Sequence, residues 1–224
     1  MNRLVAPRQL VLALDHATSF AREDFLAGPS NAAALALIDN WPDWPDRVMA
    51  LTGPEGAGKT HLASIWAETA GARVLSAKFL EHGDLPAALA TGALVLEDID
   101  PAALDEPALF HLLNLAREER AFVLITARAA PATFPVAIRD LASRLRAIPV
   151  VTLAAPDDTL LRSLIVKLAA DRQLAVDEAL VNYLANRIER SFAATRAAVR
   201  RLDEEAMRQH RPVTRALAAE LFRA

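Results

Sequence analysis

The residues best suited to chemistry form one glycine-rich segment that follows an apolar run. Residues 53–60 match the phosphate-loop pattern G-x-x-x-x-G-K-[ST] and hold three of the seven glycines in the chain. Such a loop turns its backbone N–H groups toward phosphate oxygens, and the helix after it adds the positive end of its dipole. The lysine then reaches the β- and γ-phosphates, and the threonine hydroxyl ligates Mg²⁺. The predicted nucleotide-binding residues are Gly53, Pro54, Glu55, Gly56, Ala57, Gly58, Lys59 and Thr60.

Two adjacent carboxylates follow a second apolar run, about 40 residues after the phosphate loop. Residues 94–96 are Leu-Val-Leu, and Glu97 and Asp98 come next. At the carboxyl end of a parallel strand, such acids face the ligand crevice. We expect Glu97 to hold Mg²⁺ together with Thr60, and Asp98 to polarise an attacking water. The alternative is an ordinary solvated strand end, and the glutamate is one methylene longer than the usual aspartate.

Composition excludes several other kinds of site. The 224 residues include no cysteine, which rules out disulfides, thiolate zinc sites and a cysteine nucleophile. Five scattered histidines do not indicate a metal centre, and a net charge of −3 does not favour tight DNA binding. No uncharged apolar stretch approaches the roughly 18 to 20 residues that span a bilayer. We therefore expect a cytoplasmic protein that does not contact membranes.

Apolar runs and helical patterns alternate up to about residue 154, which predicts an α/β domain with a parallel sheet covered on both faces. Only helical spacing follows. The expected domains are an extended segment over 1–24, a nucleotide-binding domain over 25–154 and a small all-helical domain over 155–224. The predicted strands are 48–52, 73–76, 93–97, 121–126 and 149–153. The predicted helices are 30–39, 59–70, 107–117, 136–141, 157–171, 177–188, 191–207 and 214–221.

Together, the phosphate loop, acidic strand end, later arginine and helical end resemble the AAA+ ATPases. Residues 25–31 (FLAGPSN), 58–62 (GKTHL) and 141–145 (LASRL) are similar to the ATPase domain of the DnaA family. This resemblance implies a five-stranded P-loop AAA+ sheet flanked by helices and followed by a helical lid. It further implies that Arg144 is an arginine finger for a neighbouring subunit, that His61 belongs to the nucleotide site, and that Thr126 is a polar sensor of the γ-phosphate.

Residues 9–14 (QLVLAL) are similar to the peptide by which many proteins bind the replicative sliding clamp. There a glutamine enters a polar pocket and leucines fill an apolar groove; the matching residues are Gln9, Leu10, Leu12 and Leu14. An edge strand or a tail packed on the body is the alternative. With a DnaA-type core, the peptide makes the chain resemble the Hda-type regulators of that family. This resemblance implies a negative regulator of replication initiation that binds the DNA-loaded clamp and stimulates hydrolysis of DnaA-bound ATP, with its own nucleotide mainly structural or regulatory. The implied partners are the clamp on DNA and DnaA, with DNA met only through the clamp; the implied ligands are ADP or ATP and Mg²⁺. Self-association stays open.

Several positions depart from the family pattern. Ala127 stands where DnaA has an acid. Arg128, the next residue, is as consistent with a solvated loop position as with a contact to the γ-phosphate. Ala193 takes the place of the lid arginine, which leaves Arg196 as the nearest substitute at the nucleotide. These departures predict weak intrinsic hydrolysis. Arg144 could instead pair with Asp140, four residues earlier on its helix.

Two other functions remain open at this point. One is a self-sufficient AAA+ ATPase of the helicase-loader type, which shares this core. The other is a small-molecule kinase built on the same loop, which the four C-terminal helices disfavour.

Overall fold

The computed structural model describes residues 20–80 and 83–222. The clamp-binding prediction for residues 9–14 therefore lies outside the described residues. The strands are β1 (Val48–Thr52), β2 (Arg73–Ser76), β3 (Ala93–Ile99), β4 (Phe122–Ala127) and β5 (Val150–Thr152). The helices are α1 (Ala32–Asp39), α2 (Lys59–Ala70), α3 (Leu85–Leu89), α4 (Glu106–Glu118), α5 (Arg139–Ala147), α6 (Asp158–Asp171), α7 (Glu178–Ala185), α8 (Phe192–Gln209) and α9 (Arg215–Leu221).

The five strands form one sheet in the order β2-β3-β4-β1-β5, and each neighbouring pair is parallel. The predicted parallel sheet flanked by helices and followed by a helical lid is therefore confirmed. Because parallel strands end at the same edge, the segments after β1, β3 and β4 meet there. This edge brings the phosphate loop, residues 53–60, next to the acidic pair and to the end of β4.

Alternate residues of the central strands enter two separate apolar cores. In β3, Leu94 and Leu96 pack with α4 and α5, while Val95 packs on the opposite face with α1 and α2. All three side chains are fully buried. Burial on both faces explains why these strands read as continuous apolar runs, and it holds the sheet edge in a fixed position.

The last four helices, α6 to α9, form the helical lid around a third core that includes Leu161, Leu184 and Leu202. Each of these helices begins after a residue whose side chain accepts a backbone N–H of the first turn, as N-caps do. The capping residues are Asp157, Asp177, Ser191 and Thr214. The predicted helical starts therefore agree with the structure to within a residue. No helix among the described residues is long and apolar enough to cross a bilayer.

Two elements differ most from the sequence prediction, while others, such as α7, which ends at Ala185 instead of residue 188, differ by a few residues at an end. The helix expected over 136–141 begins only at Arg139 and ends at Ala147. The carboxylate of Glu106, at the start of α4, accepts the backbone N–H groups of Ala137 and Ile138 at 2.9 Å and fixes the helix start. The five-residue helix α3 was not predicted, because so short a segment shows no helical period.

Candidate nucleotide-binding site

The phosphate loop joins β1 to α2 along a path that two of its glycines make possible. Gly53 has φ +149°, and a Cβ there would lie 2.5 Å from the carbonyl oxygen of Leu153. Gly56 has φ +72°, and a Cβ there would lie 2.7 Å from the Cβ of Ser191. A side chain at either position would collide with neighbouring structure, so the loop requires glycine for both conformation and packing.

The loop leads into the N-terminus of α2, which begins at Lys59 and has no side-chain cap. The first N–H groups of a helix have no partner within it, and they favour an anion such as phosphate. The Lys59 ammonium donates to the carbonyl oxygens of Gly53 and Pro54, at 2.8 Å each. Burial lowers the pKa of Lys59, while nearby Asp98 opposes the shift. The lysine thus lies over the loop and has to turn from these carbonyls to reach a phosphate.

The structure brings together the two predicted magnesium ligands, Thr60 and Glu97. Burial raises the pKa of the Glu97 carboxyl, and the nearby Thr60 hydroxyl partly opposes that rise. The Oε1 atom of Glu97 is buried without a hydrogen-bond partner among the described residues. A divalent cation would satisfy this oxygen, so the two residues fit Mg²⁺.

The described residues contain no group of three or more His, Asp or Glu side chains arranged to hold a metal. This suits magnesium at a nucleotide, because Mg²⁺ is usually held by one or two protein groups, waters and the substrate phosphates. When bound, the ion would neutralise charge on the phosphates. The protein's own contribution is to present the Thr60 hydroxyl and the Glu97 carboxylate side by side.

Asp98 lies at a bulge in β3, where the pairing with β4 shifts between Leu96 and Ile99. Its φ is +58°, and its N–H donates to the buried hydroxyl of Thr126 at 2.8 Å. The bulge leaves Asp98 exposed at the sheet edge. Since the Thr126 oxygen accepts this bond, its own proton is free to be donated to a ligand. The acid and sensor candidates are therefore neighbours across two strands.

An ion pair that the sequence did not indicate joins the phosphate loop to the segment after β4. The guanidinium of Arg128, directly after β4, lies 2.6 Å from the carboxylate of Glu55. The partners are 73 residues apart in sequence, and no local pattern connects them. Arg128, for which the sequence alone also allows a place in a solvated loop, therefore belongs to the site region.

The helical lid touches the loop directly. The N–H of Phe192, the first residue of α8, donates to the carbonyl oxygen of Gly56 at 2.9 Å. Arg196, one turn further along α8, is half-buried, and no ion pair joins its guanidinium to a carboxylate of the described chain. Burial, followed by the nearby Arg172, lowers its pKa. The candidate lid arginine thus remains available to an anionic ligand.

His61 has a structural contact that the sequence did not reveal. Its Nε2 lies 3.1 Å from the carbonyl oxygen of Ala21 and donates to it, since a carbonyl can only accept. Its ring meets those of Phe20 and Phe25 edge-on, with centroids 5.4 and 5.2 Å away. Burial lowers the pKa of this imidazole. The histidine next to the phosphate loop thus anchors the segment before α1. A contact with the nucleotide, as the resemblance implies, would be additional to this structural role.

Arg144 lies away from the phosphate loop of its own chain. Its guanidinium stacks on Phe110, 5.0 Å from the ring centroid. It lines a groove of about 590 Å³ together with Arg47 and Val48 at the amino end of β1. The alternative pairing with Asp140 is absent from the ion pairs of the described residues. The phosphate loop begins at Gly53, after the opposite end of β1. Five residues of strand separate Gly53 from Val48, which corresponds to about 16 Å at roughly 3.3 Å per residue.

Neither a family model nor a curated protein matches the sequence. Solved structures do match the fold. Domain III of the replication initiation protein DnaA from Thermotoga maritima superposes with a TM-score of 0.72 and 20% identity, over 90% of this chain and 95% of that one. AMPPCP-bound DnaA from Aquifex aeolicus gives a TM-score of 0.63 and 19% identity, over 86% and 68%.

A second kind of protein shares the same architecture. The Holliday junction branch migration motor RuvB of Thermotoga maritima matches with a TM-score of 0.64 and 23% identity, over 78% of this chain and 60% of that one. The fold is therefore that of the P-loop AAA+ ATPases, a sheet with a helical lid. At these identities the matches establish fold, and the function has to be argued from the site.

Proposed function

We propose that the chain binds an adenine nucleotide, ADP or ATP, with Mg²⁺ at the carboxyl edge of its sheet. The support is the convergence there of the phosphate loop, the Thr60–Glu97 pair and the uncapped start of α2. In this proposal residues 25–154 form the nucleotide-binding domain, and residues 155–224 form the lid. The loop amides and Lys59 hold the phosphates, while Arg196 approaches from the lid.

We further propose that the protein is an Hda-type regulator, which supplies Arg144 to ATP bound by DnaA. One observation carries this proposal: Arg144 lines a groove at the amino end of β1, whereas the phosphate loop follows the carboxyl end. An arginine so placed is suited to the nucleotide of a neighbouring subunit rather than its own. There a guanidinium stabilises the charge that develops on the transferred phosphoryl group.

In the same proposal, the segment over residues 1–24 carries the clamp contacts. Gln9 would enter a small polar pocket of the DNA-loaded sliding clamp. The apolar groove beside that pocket would be filled by Leu10, Leu12 and Leu14. An extended peptide suits such recognition, because it presents alternate side chains to the partner. Attachment to the clamp would confine the regulator to DNA, so the protein itself needs no basic surface, in accord with its net charge of −3.

Hydrolysis of DnaA-bound ATP tests the role of Arg144. Purified DnaA loaded with ATP is mixed with clamp on DNA and with wild type or Arg144→Ala. We expect the substitution to lower the stimulated rate by at least about 10³-fold, the lower end for loss of an arginine finger. Arg146→Ala, on an exposed position of the same helix, is the matched control and should stimulate fully. Full stimulation by Arg144→Ala would overturn the mechanism.

Clamp attachment has a separate test. The full chain and its Gln9→Ala/Leu12→Ala variant are compared in binding to purified clamp, with Arg8→Ala as a control for the same segment. We expect the double variant to lose binding while the control keeps it. Equal binding by all three proteins would show that the clamp contact is made elsewhere or not at all.

A self-sufficient ATPase of the helicase-loader type is the alternative, and one observation favours it. Glu97, Asp98 and Thr126 are assembled beside the chain's own phosphate loop, as intrinsic hydrolysis would require. Vigorous hydrolysis by the purified protein, stimulated by DNA and abolished in Asp98→Asn, would support this function. Negligible turnover with nucleotide bound would favour the regulator.

A further inference from the structure

The Arg128–Glu55 ion pair lies at the sheet edge that carries the phosphate loop. Thr52 pairs with Ala127 across β1 and β4, so Gly53 and Arg128 follow next to each other at the sheet edge. Glu55 belongs to the phosphate loop itself, and its carboxylate lies 2.6 Å from the Arg128 guanidinium. The pair therefore joins the loop that would hold the phosphates to the strand end that carries Thr126.

Two cations, Arg128 and Lys59, lie close to each other at this edge of the sheet. Arg128 is close enough to Lys59 to contribute to its lowered pKa, although burial contributes more. The carboxylates of Asp98, Glu55 and Glu97 also act on Lys59, and Glu55 is the one that pairs with Arg128. Lys59 and Arg128 are thus two neighbouring cations. A phosphate placed between them would relieve their repulsion and accept hydrogen bonds from both.

Both side chains of the pair are free to move. Arg128 is 67% exposed and Glu55 is 78% exposed, so packing does not hold either of them. Exposed ion pairs contribute little to stability, and one is readily exchanged for another. A guanidinium also binds a phosphate through two parallel hydrogen bonds, which are stronger than bonds between neutral groups.

We propose that Arg128 is a ligand of the terminal phosphate of ATP and that Glu55 holds it when that phosphate is missing. The inference rests on the proposed nucleotide site and states how that site would prefer one nucleotide to another. ATP draws the guanidinium from the carboxylate to the γ-phosphate, whereas ADP leaves the ion pair in place. The pair thus enables the site to distinguish a nucleoside triphosphate from a diphosphate.

Calorimetric titration of the full chain with Mg²⁺ tests the proposal, with ADP and the β,γ-methylene analogue of ATP as ligands. Arg128→Ala should weaken binding of the ATP analogue by about tenfold, as expected for loss of a charged hydrogen bond, and alter ADP binding by less than about twofold. Glu55→Gln should strengthen binding of the analogue by up to about fivefold, since an exposed competing pair is removed. In the Arg128→Ala background, Glu55→Gln should have no further effect.

Arg211→Ala is the matched control, because Arg211 pairs with Glu220 on the surface between α8 and α9. It should leave both affinities unchanged. If Arg128→Ala weakens ADP and the ATP analogue equally, or neither, the pair is only a surface ion pair and the inference is wrong while the nucleotide site stands. If the wild type binds neither ligand, the nucleotide site fails and this inference fails with it.

Discussion

The backbone N–H of Asp98 donates to the side-chain hydroxyl of Thr126 at 2.8 Å, across the bulge between β3 and β4. This bond satisfies an amide that the bulge removes from the strand pairing. It also connects the candidate catalytic acid to the candidate phosphate sensor, so a movement of either residue displaces the other. The two residues are 28 apart in sequence, and the sheet makes them neighbours.

Replacing Thr126 by valine tests this connection. Thr126→Val keeps the side-chain shape and leaves the Asp98 amide without its acceptor, which should lower the free energy of unfolding by about 1–3 kcal/mol. Urea denaturation measures this change. Thr126→Ser restores the hydroxyl and should recover most of the loss. A valine variant as stable as the wild type would contradict the importance of the bond.

Glu97 should destabilise the nucleotide-free protein at neutral pH. Burial raises the pKa of its carboxyl above the ordinary value of 4.5. The folded state therefore holds this proton more tightly than the unfolded state does. Protonation of Glu97 therefore stabilises the folded state. This stabilisation is fully present below about pH 4.5 and is lost as the pH rises through the pKa that Glu97 has in the folded protein.

We accordingly expect Glu97→Gln to be more stable than the wild type at pH 7 to 8 without Mg²⁺ and nucleotide, with a smaller difference at pH 5. Denaturation in a chelator at several pH values measures this. The same variant should lose the additional stability that Mg²⁺ gives in the presence of nucleotide. Glu68→Gln, on the exposed face of α2, is the control and should change neither quantity. A uniformly destabilised Glu97→Gln would refute the assignment.

Glu106 should position Arg144 without touching it. Its carboxylate accepts the backbone N–H groups of Ala137 and Ile138, directly before α5. Glu106→Ala should cost about 1–3 kcal/mol of unfolding free energy, because these amides lose their acceptor. It should also reduce stimulation of DnaA-bound ATP hydrolysis while the protein's own nucleotide affinity is unchanged.

Glu118→Ala, at the other end of α4, is the matched control for this effect and should keep full stimulation. Stimulation and stability are measured on the same preparations. A Glu106→Ala protein that is destabilised yet stimulates normally would show that α5 keeps its position without the carboxylate.

Gly56→Ala should separate the lid from the phosphate loop. A Cβ at this position would collide with Ser191, and the φ of +72° is itself unfavourable for alanine. Gly71→Ala is the control, since its φ of +61° brings a similar strain but no atom lies within 4 Å of the added Cβ. We expect hydrogen exchange at the Phe192 amide to increase in Gly56→Ala and not in Gly71→Ala. Equal protection in both variants would show that the contact survives.

Much of the sheet was predictable because its determinants are local. Buried strands such as β1 and β3 appear as apolar runs, and the phosphate loop is a contiguous pattern. Helix starts in the lid were predictable because acidic or hydroxyl caps mark them. These features depend on residues within a few positions of each other, so a single sequence reveals them.

The remaining features depend on contacts between distant segments. The start of α5 was misplaced because Glu106, about 30 residues earlier, binds the amides before it. The Arg128–Glu55 pair and the packing of Gly56 against Ser191 likewise join separate parts of the chain. No spacing pattern encodes such pairs, since the folded sheet and lid create them.

The Phe192–Gly56 hydrogen bond attaches the first residue of the long helix α8 to the phosphate loop. Helix α8 has 18 residues and so extends for about 27 Å. If it pivots at the bonded end by roughly 10°, its far end travels roughly 5 Å, since displacement grows with the length of the helix. A small rotation at the carbonyl of one glycine is thereby magnified into a change of molecular outline that another protein could detect.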